Sequence, residues 1–325
     1  MAVVVVTGAA GFIGSCIVAK LNEIGREDLI LVDHFDNERD PKHANLKNKK
    51  YLRYFDKQEF LKLIKADGIK DSIDGVLHMG ACSSTVLQDE KYFEENNFQY
   101  SVEVAQWSLK KKARLIYASS AATYGNGQNG YSDDDSATKT CKPLNLYGAS
   151  KQKFDQWVLD HNLQTQIVGL KFFNVFGPNE YHKGEMRSVV AKSYAGVARE
   201  GKIALFKSYR QEYADGEQKR DFIYVKDAVD IILFFIAHPQ KNGILNVGTG
   251  QARTWKDLAA ALFRAVGKKL DIQYIEMPEV LRGKYQYFTE ARMEKLRQAG
   301  YSKPFTSLED AIKDYAEYLK DHRYW

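Results

Sequence analysis

The stretch that decides the fold is AVVVVTGAAGFIG at residues 2–14, an apolar run followed by three glycines. Ala2–Thr7 is apolar and rich in valine, which predicts a buried strand. Gly8, Gly11 and Gly14 follow it directly. Glycines between a strand and a helix allow a tight turn, a close approach of the backbone to a pyrophosphate, and close helix–strand packing. The stretch therefore predicts a dinucleotide-binding unit at the start of the chain.

The first half of the chain continues with alternating strand and helix patterns. Short apolar runs predict strands at Leu29–Asp33, Gly75–Met79, Arg114–Ser119 and Gln166–Phe172. Amphipathic stretches between them predict helices at Gly14–Glu23, Gln58–Lys65, Phe93–Lys111 and Ala149–Leu159. This alternation is typical of βαβ units, and strands that are apolar throughout indicate helices on both sheet faces. The predicted fold class is α/β, a Rossmann-type doubly wound parallel sheet.

The pattern changes near Gly177. Residues 177–220 are rich in Lys, Arg, Tyr and Gly and predict a long, partly irregular excursion, a common place for binding loops. DFIYV (221–225) and ILNVG (244–248) predict strands that return to the sheet, and Ser307–Leu319 predicts a helix capped by Thr306 or Ser307. We expect a dinucleotide-binding domain at 1–173 with returning segments at about 221–250, and a smaller, discontinuous α/β substrate-binding domain at about 174–220 and 251–325.

Composition excludes several classes of protein. The 325 residues are 44% hydrophobic and 27% charged, with a net charge of +5, which is ordinary for a globular chain and gives no reason to expect nucleic-acid binding. Cys16, Cys82 and Cys141 are isolated and odd in number, so we expect buried small side chains and neither disulfides nor a metal site. No stretch resembles a signal peptide or a membrane span, which favours a cytoplasmic location.

Asp33 ends the second predicted strand, about 20 residues after the glycine loop, where a carboxylate usually binds the adenosine ribose 2′-hydroxyl of NAD. His34, Arg39, Lys42 and Lys57 lie in or after that stretch. A cation from this group could hold a 2′-phosphate instead and favour NADP. Both cofactors remain open on this evidence.

Tyr147 and Lys151 form a Tyr-x-x-x-Lys pair in NLYGASKQKFDQW. On a helix this spacing places both side chains on one face, where the ammonium would lower the pKa of the phenol and bind the nicotinamide ribose. Ser120 ends a predicted strand and offers a hydroxyl next to the substrate oxygen. Together these groups predict removal of a proton from an alcohol while a hydride leaves its carbon.

Seven segments carry a family resemblance: GAAGFIG, HMGACSST, YASSAATYG, YGASK, FFNVFGPNEYHKG, KRDFIYVKD and NVGTG. The chain resembles the extended short-chain dehydrogenase/reductase superfamily and, within it, the ADP-L-glycero-D-manno-heptose 6-epimerases. The likeness runs from Val3 through RGKYQYFT to Gly300–Phe305. Sugar-nucleotide dehydratases of this architecture have an Asp-Glu pair where Ala121 and Ala122 stand, so elimination is disfavoured and oxidation, reduction or epimerisation remains.

The resemblance implies a bacterial enzyme with tightly held NADP that interconverts ADP-D-glycero-β-D-manno-heptose and its L-glycero epimer for the lipopolysaccharide core. The implied mechanism removes a hydride from C6″, forms a transient ketone and returns the hydride to the other face. One base cannot serve both epimers, and the resemblance implies Lys183, in the HKG motif, as the second proton-transfer group. It also implies a homo-oligomer, with five subunits expected.

Matching residue by residue, the resemblance implies two sets of contacts. The cofactor set is Gly8, Gly11, Phe12, Ile13, Gly14, Asp33, His34, Lys42, Lys57, Met79, Gly80, Ala81, Cys82, Ser83, Asn96, Lys151, Val175 and Lys183. The substrate set is Ser83, Ser120, Asn174, Glu185, Lys192, Phe206, Lys207, Ser208, Tyr209, Arg220 and Tyr285. The guanidinium of Arg220 suits the ADP diphosphate. The chain departs from the family at Glu185 (often Ser), at Lys192 (often His) and in a longer segment at 208–219.

Other functions fit parts of the same pattern. A UDP-hexose 4-epimerase or another nucleotide-sugar oxidoreductase would share the glycine loop and the Tyr/Lys pair but would not need Lys183. A simple dehydrogenase would release reduced cofactor to solution. A non-catalytic regulator that senses NADPH would need no Tyr147, and the presence of both Tyr147 and Lys151 disfavours it.

Overall fold

The computed structural model describes residues 2–283 and 285–325. Its strands, in chain order, are β1 Val3–Thr7, β2 Leu29–Asp33, β3 Arg53–Asp56, β4 Ile73–His78, β5 Arg114–Ser120, β6 Val168–Phe172, β7 Asn174–Phe176, β8 Ile203–Phe206, β9 Lys219–Tyr224, β10 Gly243–Val247, β11 Ala252–Thr254 and β12 Ile272–Ile275. The predicted strands of the first half agree with β1, β2, β4, β5 and β6 to within two residues at each end. They are found because each is mainly apolar and the fold buries most of its residues, on both faces of the sheet.

The α-helices are α1 Phe12–Glu23, α2 His43–Leu46, α3 Lys57–Lys65, α4 Glu90–Phe93, α5 Tyr100–Lys110, α6 Asp135–Lys139, α7 Leu146–Asp160, α8 Val189–Glu200, α9 Val225–Ala237, α10 Trp255–Ala265, α11 Glu279–Arg282, α12 Glu294–Gln298 and α13 Leu308–Lys320. A π-helical segment, Glu94–Gln99, joins α4 to α5, so the single helix predicted at Phe93–Lys111 is wound differently at its start. Ser307 is the cap of α13, since its hydroxyl accepts a hydrogen bond from the Asp310 backbone. None of the described helices is long and apolar enough to cross a membrane.

Within the described chain, seven parallel strands form the main sheet, in the order β10-β6-β5-β4-β1-β2-β3. The chain starts in the middle at β1 and winds outward first on one side and then on the other, which is the predicted doubly wound Rossmann arrangement. The winding direction reverses between β1 and β4. In sheets of this kind the crevice beyond the carboxyl ends of those two strands is where ligands bind.

A smaller sheet stands apart from the main one and corrects one prediction. The DFIYV segment does not return to the main sheet: β9 lies between β7 and β11 in a separate three-stranded sheet of the described residues. Helix α9 and strand β10 make the return instead. The reason is tertiary, because an apolar strand pattern does not specify which sheet the strand joins. The excursion at 177–220 is also more regular than predicted, since it contains α8 and β8.

The cysteine prediction holds for Cys16 alone. Cys16 is buried, whereas Cys82 and Cys141 are partly exposed. Cys82 follows β4, and its backbone N–H donates a hydrogen bond to the Asn97 side chain, 2.8 Å away. The functional crevice lies at this end of β4, so Cys82 is half open because it borders a cleft.

Candidate active site

The glycine loop connects β1 to α1 and packs against the loop that follows β4. Gly8 has a positive φ of 66°, and a Cβ added to it would lie 2.6 Å from the Cα of Gly80. A Cβ on Gly14 would lie 2.0 Å from the Gly8 carbonyl oxygen. Side chains at these positions would push the two loops and the helix apart. Helix α1 starts after Gly11, which has no side chain to cap it, so its first turn suits an anionic group.

One continuous crevice runs past this loop, in three parts. The outer cleft (about 220 Å³) is lined by residues at the ends of β1, β2 and β4 and by Tyr92, Asn96 and Tyr100. The central cleft (about 350 Å³) includes the glycine loop, Tyr147 and Lys151. The distal cleft (about 380 Å³) is lined by residues of β7, α8 and α10, among others. Every residue of the predicted cofactor set lines the outer or the central cleft.

Asp33 stands where the outer and central clefts meet. One carboxylate oxygen accepts a hydrogen bond from the Ala10 backbone N–H at 2.8 Å, and the other lies 3.1 Å from the Lys42 ammonium. Lys57 reaches the same cleft and donates to the amide oxygen of Asn96 at 3.0 Å. The carboxylate is thus paired with a cation, and a second cation stands nearby beside a neutral partner. The donor set fits an adenosine ribose that carries either a hydroxyl or a phosphate.

The π-helical segment supplies a residue that the sequence prediction missed. Asn97 is buried and its side chain bonds both the backbone N–H and the carbonyl of Cys82, at 2.8 and 2.9 Å. The same amide donates to the Ser150 hydroxyl at 2.9 Å. Asn97 therefore fastens the loop after β4 to helix α7. No local pattern points to this role, because it depends on the extra residue in the helical turn.

Ser120, Tyr147 and Lys151 come together at the ends of β5 and α7. Lys151 is 6% exposed and donates a hydrogen bond to the Ala118 carbonyl at 2.8 Å. Burial lowers the pKa of Lys151 to about 8, although the Asp155 carboxylate acts in the opposite direction. Burial also raises the pKa of Tyr147, partly offset by the Ser120 hydroxyl beside it. The predicted lowering of the Tyr147 pKa by Lys151 is therefore wrong for this structure, because burial of the phenol has the larger effect.

Beneath these groups lies a buried ion pair. Lys171 and Asp155 are both fully buried, with 2.6 Å between the ammonium and a carboxylate oxygen. Asp155 also accepts a hydrogen bond from the Ser119 hydroxyl at 2.7 Å. The pair ties β5 and β6 to α7, so it fixes the strand end that carries Ser120 relative to the helix that carries Tyr147.

Lys183 lies in the 3₁₀ turn Tyr181–Met186, and its ammonium is 5.0 Å from the centroid of the Phe12 ring. Burial lowers the pKa of Lys183, with Glu180 acting against it. Lys183 and Tyr147 belong to a set of residues that line both the central and the distal cleft, which we call the junction: Ser83, Ser120, Tyr147, Phe172, Phe173, Val175 and Lys183. The junction is where a ligand in one cleft would meet a ligand in the other.

The predicted substrate residues divide into two groups. Ser83, Ser120 and Asn174 line the distal cleft. The described lining of that cleft does not include Glu185, Lys192, Phe206, Lys207, Ser208, Tyr209, Arg220 or Tyr285. Lys207 and Tyr209 instead bind Glu276, and Lys192 donates to the Glu185 carbonyl. Their contact with substrate stays a prediction.

Arg220 is buried next to the distal cleft. It is 6% exposed, and its guanidinium lies 5.7 and 5.0 Å from the ring centroids of Trp255 and Tyr285. The hydrogen bond it donates within the described chain goes to a backbone carbonyl, that of Lys219, rather than to a carboxylate. Burial lowers the pKa of Arg220. A buried guanidinium between aromatic rings is suited to an anionic or planar ligand.

The distal cleft also contains residues that were not predicted: Phe172, Phe173, Arg187, Ser188, Trp255, Gln286 and Thr289. Phe172 and Phe173 lie in the FFNVF stretch, whose position next to Asn174 could have indicated them. Trp255 opens helix α10, and Thr289 donates toward the Asn174 amide oxygen at 3.4 Å. These residues come from segments far apart in the chain, so only the fold brings them together.

Comparison with known proteins agrees with this geometry. Residues 4–248 match the model of the NAD dependent epimerase/dehydratase family. The chain therefore belongs to that family, and the nicotinamide cofactor predicted from the glycine loop is confirmed at this level.

More specific likenesses lie within the family. An ADP-L-glycero-D-manno-heptose-6-epimerase of Nitratidesulfovibrio vulgaris (strain DP4) is 50% identical over 316 residues, 97% of each chain. The crystal structure of the Helicobacter pylori enzyme of the same name has a TM-score of 0.82 and 28% identity, covering 98% of this chain and 96% of that one. A UDP-N-acetylglucosamine 4-epimerase from Methanobrevibacter ruminantium shares the fold, with a TM-score of 0.81 and 23% identity, covering 99% of each chain. The predicted family resemblance is confirmed.

Proposed function

We propose that this protein epimerises C6″ of ADP-D-glycero-β-D-manno-heptose to the L-glycero form through a transient 6″-ketone, with NADP retained in the crevice. The observation that carries the proposal is the junction, where Tyr147 and Lys183 come from different elements and border both clefts. In the two-base mechanism that the resemblance implies, each orientation of the substrate alcohol has its own proton-transfer group. The relatives at up to 50% identity that bear the heptose epimerase name favour this substrate.

A bound nicotinamide ring would supply the hydride acceptor and donor. Tyr147 holds the proton that moves to or from the substrate oxygen. Because burial raises the pKa of its phenol, Tyr147 rests as the neutral acid and needs a partner for its proton. Ser120 stands beside it, and Lys151, whose pKa is about 8, is able to exchange a proton near neutral pH.

Lys183 acts as the second proton-transfer group. Its burial lowers its pKa, which makes the neutral amine more accessible than for a surface lysine. The Phe12 ring that its ammonium overlies belongs to the first turn of α1, so the lysine is held near the glycine loop. A ketone that turns over between Tyr147 and Lys183 would take a proton from either side.

NADP, rather than NAD, is the cofactor that the outer cleft favours. Lys42 already pairs with Asp33, the carboxylate that would otherwise select a ribose hydroxyl. Lys57 adds a second positive charge whose partner is an amide. Two ammonium groups beside the ribose site favour a 2′-phosphate. We assign the diphosphate of the substrate to Arg220, because its buried guanidinium is positively charged and the diphosphate is negatively charged.

The proposal is tested by giving purified protein the two ADP-heptose epimers and, separately, UDP-hexoses. We expect interconversion of the ADP-heptoses with no net change in nicotinamide absorbance, and NADP in the mass spectrum of nucleotide released on denaturation. Lys183→Met should reduce epimerisation about 100-fold or more while NADP stays bound. Lys153→Met, which changes a lysine on the exposed side of α7 outside both predicted contact sets, is the matched control and should keep most of the activity. Turnover of UDP-hexose alone would replace this function by the 4-epimerase alternative.

We also propose the broader assignments that go with this function. The dinucleotide-binding domain takes residues 1–173 and about 221–250, apart from β9, and the substrate-binding domain takes the rest. The protein is a homo-oligomer, with five subunits expected, acts in the cytoplasm and supplies heptose for the lipopolysaccharide core. Light scattering of the purified protein tests the subunit number, and a monomer would contradict it.

A further inference from the structure

His182 is a cleft residue to which neither the sequence analysis nor the proposed function gives a role. It lies in the 3₁₀ turn Tyr181–Met186 and lines the central cleft, together with the glycine loop, Asp33 and Lys42. Its ring is partly buried. What this ring can bind depends on which of its nitrogens carries the hydrogen and on whether the ring is charged.

The amide of Asn45 indicates which ring nitrogen carries the hydrogen. Asn45 is fully buried, and its amide nitrogen lies 2.8 Å from the Ala10 carbonyl oxygen and 3.2 Å from that of Asn179. These two acceptors fix the orientation of the amide, because the reverse orientation would place its oxygen against two carbonyl oxygens. The same nitrogen lies 3.1 Å from Nδ1 of His182.

Nδ1 of His182 is therefore assigned as an acceptor, which shares the two amide hydrogens with the Ala10 and Asn179 carbonyls. A hydrogen on Nδ1 would face the hydrogens of the Asn45 amide. The ring hydrogen consequently sits on Nε2, on the edge away from Asn45.

Burial, supported by two neighbouring lysines, keeps the His182 ring neutral. Burial lowers the pKa of His182 to about 4. Lys183 and Lys42 act in the same direction, whereas Asp33 and Asp40 oppose them. Near neutral pH the ring is thus an uncharged donor among cations.

We propose that His182 donates a hydrogen bond from Nε2 to a pyrophosphate oxygen of the bound dinucleotide, and that Asn45 is the positioning residue that selects this tautomer. Asn45 bonds His182 and the Ala10 carbonyl at once, so it fixes the ring relative to the glycine loop. In this fold the loop and the start of α1 hold the pyrophosphate. The inference rests on the proposed function only for the nature of the cofactor.

The pyrophosphate is common to NADP and NAD, which gives the experiment. The affinities of purified wild type, His182→Ala and His182→Gln for NADPH and NADH are measured by nicotinamide fluorescence, with no sugar nucleotide present. We expect His182→Ala to weaken both cofactors by the same factor, about 10-fold or more. His182→Gln should stay within about threefold of wild type, because the glutamine amide nitrogen can take the place of Nε2.

Each other result overturns the proposal. A loss confined to NADPH would place the contact at the 2′-phosphate. Equal losses that His182→Gln does not restore would mean that the ring packs and does not donate, and unchanged affinities would mean that it makes no contact. Since no substrate is used, a failure of the heptose proposal leaves this result intact, and the reverse also holds.

Two further measurements test the charge and the tautomer. The ratio of NADH affinities between wild type and His182→Ala should stay constant from about pH 5.5 to 8, because a neutral donor does not titrate there. A ratio that grows as the pH falls would indicate an imidazolium and overturn the assignment. In nitrogen-15 spectra the His182 ring, identified by its loss in His182→Gln, should carry its hydrogen on Nε2 and become a mixture of tautomers in Asn45→Ala. A hydrogen on Nδ1 in the wild type would contradict the role of Asn45.

Discussion

The lysine of the Tyr-x-x-x-Lys pair lies in an environment that disfavours its charge. Lys151 is 6% exposed, and its ammonium donates to a backbone carbonyl rather than to a carboxylate. Its pKa of about 8 means that the charged form of Lys151 is less stable in the folded protein than in the unfolded chain. The lowered pKa allows proton exchange near neutral pH, but it also reduces the free energy of unfolding there.

Replacing Lys151 by methionine should change how the free energy of unfolding depends on pH. Between about pH 8 and 10.5 the unfolded lysine binds a proton that the folded lysine has released, so the stability of the wild type rises with pH in this window. The stability of Lys151→Met relative to wild type should therefore be highest near pH 7 and fall by up to roughly 3 kcal/mol by pH 10.5. Urea unfolding over this pH range measures it.

Lys153→Met is the control for this series, because Lys153 lies on the exposed side of the same helix. Its stability relative to wild type should change little with pH. A relative stability of Lys151→Met that rises with pH would contradict the assigned shift.

At the scale of elements, the π-helical segment between α4 and α5 positions the loop that follows β4. Its extra residue turns Asn97 toward Cys82 and Ser150, while Asn96 meets Lys57 in the outer cleft. The two neighbours thus face different parts of the site. The longer turn of the π-helical segment shifts the directions of both side chains relative to helix α4.

Asn97→Ala should lower the free energy of unfolding by about 1–3 kcal/mol, because it removes a buried amide and its hydrogen bonds to the backbone of Cys82 and to Ser150. Cofactor affinity should fall as well, since Gly80, Ala81 and Cys82 border the cleft. Gln99→Ala changes an exposed residue of the same segment and should alter neither quantity. Denaturation and cofactor titration of the two variants check this, and equal effects in both would argue against the role of Asn97.

These elements also show what the sequence could predict. The glycine loop, the apolar strands and the Tyr147–Lys151 pair carry local signals, since each depends on residues close together in the chain. The sheet that β9 joins, the turn that aims Asn97 and the walls of the distal cleft depend on contacts between distant segments. The pKa of Tyr147 belongs to the second group, because burial is a property of the fold.

Across the whole molecule, the crevice runs from the outer cleft at the end of the main sheet to the distal cleft, which is lined by residues of β7 and β9 in the smaller sheet. Cofactor and substrate should protect different parts of the chain from hydrogen exchange. We expect NADP to protect the glycine loop and residues 79–83, and ADP added afterwards to protect β9, β11 and residues 285–289. Mass spectrometry of the exchanged protein measures both patterns. Protection by ADP confined to the main sheet would contradict the proposed division into domains.

The junction has a consequence for anyone who wishes to redesign this protein. Seven residues line both the central and the distal cleft, so we expect a change made there to admit a new sugar also to disturb the nicotinamide end. The wall formed by Arg187, Trp255 and Thr289 borders the distal cleft alone. Libraries for altered sugar preference should begin at that wall and leave the junction as it is.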